Sequence, residues 1–315
     1  MKRNIYSYSK LWMISFVLMG AACTNQVEDA IPVSGQPIEF SVQSDWKEIP
    51  NTRLNDVNGT MTFTGGDVIQ IFGFYNKEKK FMYDVDETLG QKVVLDDDGK
   101  TWNYTPKRFW PKEGNLLFLA SYPQNSIRNY GVNEPMIYKQ TANSMKQDLL
   151  WGVSGKDCAN DEVRKNNVEI TMYHALAKVN ICIDKSWGNI GTVMFLAYKA
   201  GRFTETDDSG IPAWEFNDDD KTTFNAEFGY DDLLRDDFGT SLTVFILPGN
   251  ITGFQMFGVS HGKEGGKKIE GSEDISNELQ KKTFKAGQAY KLTIRRAQKN
   301  TNSRSITMSV RCVSE

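Results

Sequence analysis

From Ile38 onward the chain is dominated by short apolar runs with a period of two, each closed by glycine, asparagine, aspartate or proline. Side chains alternate between the faces of a β-strand but recur every 3.6 residues on a helix, so this period predicts strands. Residues 38–42, 68–74 and 116–120 are examples, followed by 168–172, 242–247 and 289–294. β-Branched and aromatic residues fill these runs, which suits a pleated, half-buried surface. Turns are expected at Asn58-Gly59, Gly65-Gly66-Asp67, Asp98-Gly99 and Pro248-Gly249-Asn250, where residues tolerant of positive φ separate the runs. No segment carries a long amphipathic helical repeat; residues 231–234 and 273–280 are open between short helix and loop. The pattern predicts an all-β fold of sandwiches or barrels.

The N-terminus follows a different rule. Lys2, Arg3 and Lys10 precede an apolar run over residues 11–19, and Gly20, Ala21 and Ala22 then supply small side chains. This order predicts a signal peptide over residues 1–22. The run falls short of the roughly 20 apolar residues of a permanent membrane helix. Gly20-Ala21-Ala22-Cys23 resembles the lipobox of bacterial lipoproteins, which makes Cys23 the expected lipidated first residue. Gly20 departs from the pattern, where leucine is usual, and an ordinary cleavage site before a cysteine is the alternative. Gln26-Val27-Glu28-Asp29 is similar to the acidic tag of Bacteroidota surface lipoproteins; a solvated tether is the other reading. Residues 23–36 are small and polar, and are read as a flexible tether.

Removing residues 1–22 takes away three basic side chains and no acid, so the formal charge of −3 becomes −6 and 293 of the 315 residues remain. That length suits two domains, and the charged stretch 155–167 places their boundary near residue 170. The expected organisation is a domain over 37–170 and another over 171–315. The acidic balance and the lack of a basic cluster give no footprint for nucleic acid.

Chemistry-bearing motifs are absent. His174 and His261 have no companion ligand at metal spacing, and there is no phosphate loop, nucleophile elbow or H-E-x-x-H pair. His174 heads a strand, where a structural histidine is expected. Cys158, Cys182 and Cys312 are widely spaced, and Cys182 is expected as a buried free thiol. Aspartates cluster at 96–98, 207–208, 218–220 and 236–237; solvated turn residues are the main reading and calcium ligands the alternative. Trp102, Tyr104, Phe109, Trp110, Trp214 and Phe216 suit either core packing or carbohydrate binding. The expectation is no enzyme, no metal and no cofactor.

Several stretches occur together in a recognisable order. They include Ile38-Glu39-Phe40, Asn51-Thr52-Arg53 and Phe63-Thr64-Gly65-Gly66-Asp67-Val68-Ile69. Phe109-Trp110-Pro111 and Leu117–Pro123 follow, then Asp148-Leu149-Leu150-Trp151, His174-Ala175-Leu176-Ala177-Lys178-Val179 and Phe284–Tyr290. Over most of its length after the leader, the chain resembles the fimbrillin family of Bacteroidota, the subunits of type V pili. The resemblance implies two tandem transthyretin-like β-sandwich domains. It also implies trimming by an arginine-specific protease, with Arg53 at the matching position, and filling of the opened groove by a strand from the next subunit. An ordinary loop arginine is the alternative at Arg53.

Alternation resumes at the C-terminus with Ile306, Met308, Val310 and Cys312, which makes residues 305–313 a candidate donor strand; pairing within its own sheet is the alternative. The expected function is a structural or adhesive fimbrial subunit at the outer membrane, with other pilin subunits and membrane lipid as partners. A monomeric surface lipoprotein that binds glycan or host protein is the other function considered.

Overall fold

In the computed structural model, which describes residues 31–44, 56–57, 60–61, 63–154, 167–207, 210–228, 240–259, 266–295 and 308–312, the alternating runs are strands. The first are β1 (Val33–Pro37), β2 (Phe40–Ser44), β3 (Asp56–Val57), β4 (Thr60–Met61) and β5 (Val68–Tyr75). β6 (Lys79–Met82), β7 (Gln91–Leu95), β8 (Trp102–Asn103), β9 (Phe109–Pro111) and β10 (Leu116–Tyr122) come next. β11 (Ile127–Asn129), β12 (Met136–Lys139), β13 (Leu150–Ser154) and β14 (Val168–His174) complete the first half. The second half holds β15 (Ala177–Ile183), β16 (Ile190–Tyr198), β17 (Ala200–Phe203), β18 (Lys221–Glu227) and β19 (Thr240–Ile246). It ends with β20 (Thr252–Gly258), α1 (Ser272–Leu279), β21 (Ala289–Ile294) and β22 (Met308–Cys312). None of the described helices is long and apolar enough to cross a membrane.

In the first half one sheet runs β2-β14-β13-β10-β5-β7-β8, with β6 beside β5. It coils until its outer strands β2 and β8 approach each other, making the layers of a sandwich. Ile69 and Ile71 of β5, Phe118 and Ala120 of β10 and Ile170 of β14 face the enclosed core. The opposite face of β5 and β10 carries Phe72, Phe74, Leu117 and Leu119, which pack toward a second apolar cluster. A sheet covered on both faces needs nearly continuous apolar strands, and β5 is buried from Ile69 to Phe74. Two of those residues are small or polar for local reasons. At Gly73 a side chain would collide with Met82, and the buried Gln70 amide accepts from the Asn125 backbone.

In the second half the sheets β19-β15-β21-β22 and β18-β16-β20 face one another. Val179, Ile181 and Ile183 of β15 meet Val193, Phe195 and Ala197 of β16 across the gap. β16 buries Ile190 and then switches parity to Val193 because its pairing with β20 slips between Ile190 and Thr192. An irregularity of this kind inserts one residue and re-aims the side chains beyond it. α1 covers the end of this core with Ile275 and Leu279, spaced four apart on one helical face, and Phe254 N–H donates to Ser276 Oγ at 3.1 Å.

The boundary expected near residue 170 falls inside β14, which continues unbroken to His174 beside β13. The strands on either side of the charged stretch, β13 and β14, are antiparallel neighbours in one sheet. The chain changes sheet at Ala175-Leu176. The halves also share a three-stranded sheet, β11-β12-β17, in which β17 of the second half pairs with β12 of the first. Beside it, the Gln140 amide donates to Phe245 O at 2.5 Å and accepts from Leu247 N–H at 3.1 Å.

Candidate functional site: edge strands at the two ends of the chain

A strand at the edge of a sheet leaves a row of backbone N–H and C=O groups open to any further strand. Both sandwiches have an edge closed by a segment near an end of the chain: β2 in the first half and β22 in the second.

The N-terminal segment crosses from one layer to the other. β1 pairs antiparallel with β9, and β2 then pairs parallel with β14. The switch occurs at Ile38, whose N–H donates to Arg108 O at 2.9 Å and whose carbonyl accepts from the Tyr104 hydroxyl at 2.7 Å. Val168 N–H donates to Glu39 O at 2.7 Å. The two strands contribute unequally. All of β1 is exposed, with Val33 at 44%, whereas Ile38 is 0% and Phe40 2% exposed. Phe40 stands edge-on to Phe118 with ring centroids 5.3 Å apart, and 5.8 Å from Tyr104. The segment lies at the edge of the sandwich, and its Ile38 and Phe40 side chains complete the core.

β22 lies antiparallel to β21, with Met308 opposite Ile294, Val310 opposite Leu292 and Cys312 opposite Tyr290. Those three β21 positions pack into the second core. The candidate donor strand therefore pairs with its own sheet in this chain. Cys182 pairs across to Thr293, three residues from the Tyr290 that faces Cys312, so this register does not bring the two cysteines opposite each other. Cys182 is a buried free thiol, its acidity suppressed by burial. Cys23, Arg53, Ile306, Cys158 and His261 lie outside the described residues, as do the turn at Asn58-Gly59 and residues 231–234.

Other sequence candidates have structural partners. Trp102, Tyr104 and Trp110 are buried in the first core. Trp214 lies flat over Gly201 and donates its indole N–H to Ala175 O at 2.7 Å, while Phe216 stacks on Tyr198 at 4.2 Å. Asp98 accepts from the backbone N–H groups of Lys100 and Thr101, both at 2.8 Å, and from the Thr101 hydroxyl, which hold its carboxyl below the usual range. Asp207 accepts from Ile211 N–H and Asp220 from the Asn217 amide in the same manner. Among the described residues no three His, Cys, Asp or Glu side chains converge on a common point.

His174 is a buried structural histidine at the end of β14, with Nδ1 against Asp148 Oδ2. Lys178, four residues on, is also buried. Sequence reasoning passed over this lysine. Its signal was a charged residue set between Ala177 and Val179 in an apolar strand.

A family model described as fimbrillin-like matches residues 52–310. The chain belongs to the fimbrillin-like family. No curated protein matches the sequence. Two solved structures share its fold. A putative cell adhesion protein from Bacteroides uniformis has 16% identity and a TM-score of 0.50, covering 89% of this chain and 99% of that one. Another from Bacteroides ovatus has 11% identity and a TM-score of 0.51, covering 89% and 98%. In this fimbrillin-like chain the region matching the family begins at residue 52, after β1 and β2 and next to Arg53.

The geometry predicts a sharp contrast within the N-terminal segment. Phe40→Ala should cost about 3–5 kcal/mol of unfolding free energy, through lost burial and the cavity between Phe118 and Tyr104. Val33→Ala should stay within about 0.5 kcal/mol. Urea unfolding of both variants checks this, and equal small losses would show that β2 does not complete the core.

Proposed function

We propose that this chain is a structural or adhesive subunit of cell-surface fimbriae of the type V kind, assembled by exchange of edge strands. The observation that carries the reading is the contrast around Ile38. A segment held at the edge by backbone hydrogen bonds inserts Ile38 and Phe40 into the core, upstream of Arg53. Cleavage after Arg53 would release β1 and β2 together. It would leave the β14 edge unpaired and a pocket between Phe118 and Tyr104 empty. Exposing those two side chains costs roughly 1.5–3 kcal/mol each, which a strand from another subunit recovers on insertion.

The C-terminal segment supplies a donor of matching period. Ile306, Met308, Val310 and Cys312 alternate as Ile38, Phe40 and Val42 do, and β22 sits at an edge from which it can leave without breaking the order of the remaining strands. In this reading β22 covers its own edge in the lone subunit and a neighbour's groove in the polymer. The chain is exported and held at the outer membrane through lipid on Cys23, performs no catalysis, and has other pilin subunits as partners. The monomeric binding reading is less favoured, because most of the aromatics that suggested it fill the cores.

Two outcomes are expected. Labelled palmitate enters the wild-type chain and not Cys23→Ala; equal labelling of both would remove the lipid anchor. Cells carrying Arg53→Ala retain the segment before residue 54, and cells carrying a deletion of residues 304–315 yield no polymers. Normal trimming in the first and intact polymers in the second would reject the cleavage site and the donor strand respectively.

A further inference from the structure

The seam between the sandwiches contains a buried group of ionisable side chains. Asp148 lies two residues before the start of β13, His174 ends β14, and Lys178 lies near the start of β15. All three are less than 10% exposed. Asp148 Oδ1 accepts from Leu149 N–H at 2.8 Å, and Oδ2 contacts His174 Nδ1. A carboxylate only accepts, so the ring proton resides on Nδ1. Lys178 Nζ makes no hydrogen bond among the described residues and lies 6.0 Å from the Phe245 ring of β19. From β12 the Tyr138 hydroxyl faces the same group, pushed up to about 12 chiefly by burial, so it stays neutral. With a neutral imidazole, the group holds one negative and one positive charge.

The chain crosses between the halves at this point, and the crossing is clamped from both sides. Ala175 N–H donates to Leu149 O at 2.8 Å in the first half. Gly287 N–H donates to Leu176 O at 2.9 Å, and Lys178 N–H to Gln288 O at 3.0 Å, in the second. A change in charge here acts on the joint itself.

We propose that Asp148, His174 and Lys178 form an acid-sensitive lock between the two sandwiches, in which protonation of the His174 ring leaves an unbalanced positive charge in the seam and loosens it. An uncompensated buried charge is costly, and the cost falls on the packing that keeps water out. Burial lowers the His174 pKa, Asp148 opposes that shift, and Lys178 lowers it further. The sign follows. A group whose folded pKa lies below its unfolded value of about 6.5 gives stability that is full above that value and lost as pH falls through it. Lys178, pushed down to about 8 mainly by burial, is predominantly charged at neutral pH and adds no loss on the acid side.

Two measurements on the protein test the lock. The chain contains two histidines, so ring signals of histidine-labelled protein can be assigned with His261→Gln. His174 should titrate below 6.5, and Lys178→Met should raise its midpoint while His174–Asp148 contact persists. In wild type, exchange of the Ala175, Lys178 and Gly287 amides, corrected for intrinsic rates, should accelerate by up to about tenfold per pH unit as pH falls from about 6.5 toward the His174 midpoint, and level off below that midpoint. The Leu292 amide in the second core should accelerate less. His174 titrating at or above 6.5, a midpoint unmoved by Lys178→Met, or equal acceleration at Leu292 would each overturn the proposal.

Discussion

Every sheet in this fold must end somewhere, and an end with open backbone groups is the constraint around which the molecule is organised. The first sheet coils until β2 approaches β8, and the strand that completes this coil comes from the N-terminal end of the chain. The second half is completed by β22 from the C-terminal end. A central strand cannot be withdrawn without separating its two neighbours. An edge strand has one neighbour, so another strand of the same period can take its place without parting the rest of the sheet. The burial of Ile38 and Phe40 makes that closure energetically significant, since the core of the first sandwich is incomplete without them.

The halves are joined with equal economy. Among the described residues a chain crossing, a sheet drawn from both halves, the buried Gln140 and an apolar cluster with members from each half hold them together, with the Met145 side chain of the first half reaching the second core. Buried polar groups reward only correct geometry, because each partner lost strands the other without water. Gln140, which bonds to Phe245 and Leu247 of the second half, therefore fixes how one sandwich sits on the other, whereas apolar contact alone would tolerate sliding.

Much of this was legible in the residues. The period of two located β5, β10, β14, β19 and β21 to within two residues, because alternation is a local consequence of the pleat. The parallel pairing of β2 with β14 was not legible, since it joins residues more than a hundred positions apart and leaves no local trace. The same holds for Lys178, whose partners come from other strands. The run 155–167 suggested a domain boundary because charge and missing periodicity mark a break between strands without telling whether the next strand stays in the same sheet. The aromatics were ambiguous because ring type does not encode exposure; Trp110 ended at 1% and its neighbour Phe109 at 36%. Two stretches that carried the family resemblance, the one beginning at Asp148 and the one beginning at His174, meet at the seam.

The central claim is that terminal edge strands pass between copies of the chain. Gel electrophoresis of material sheared from the surface of the native host, loaded with and without boiling, tests it most directly. Strand-exchanged subunits predict a ladder of oligomers in the unboiled sample that collapses to one monomer band on boiling, since the joints are buried and extensive but not covalent. A single monomer band in both samples, with the protein remaining on the cells, would contradict the account.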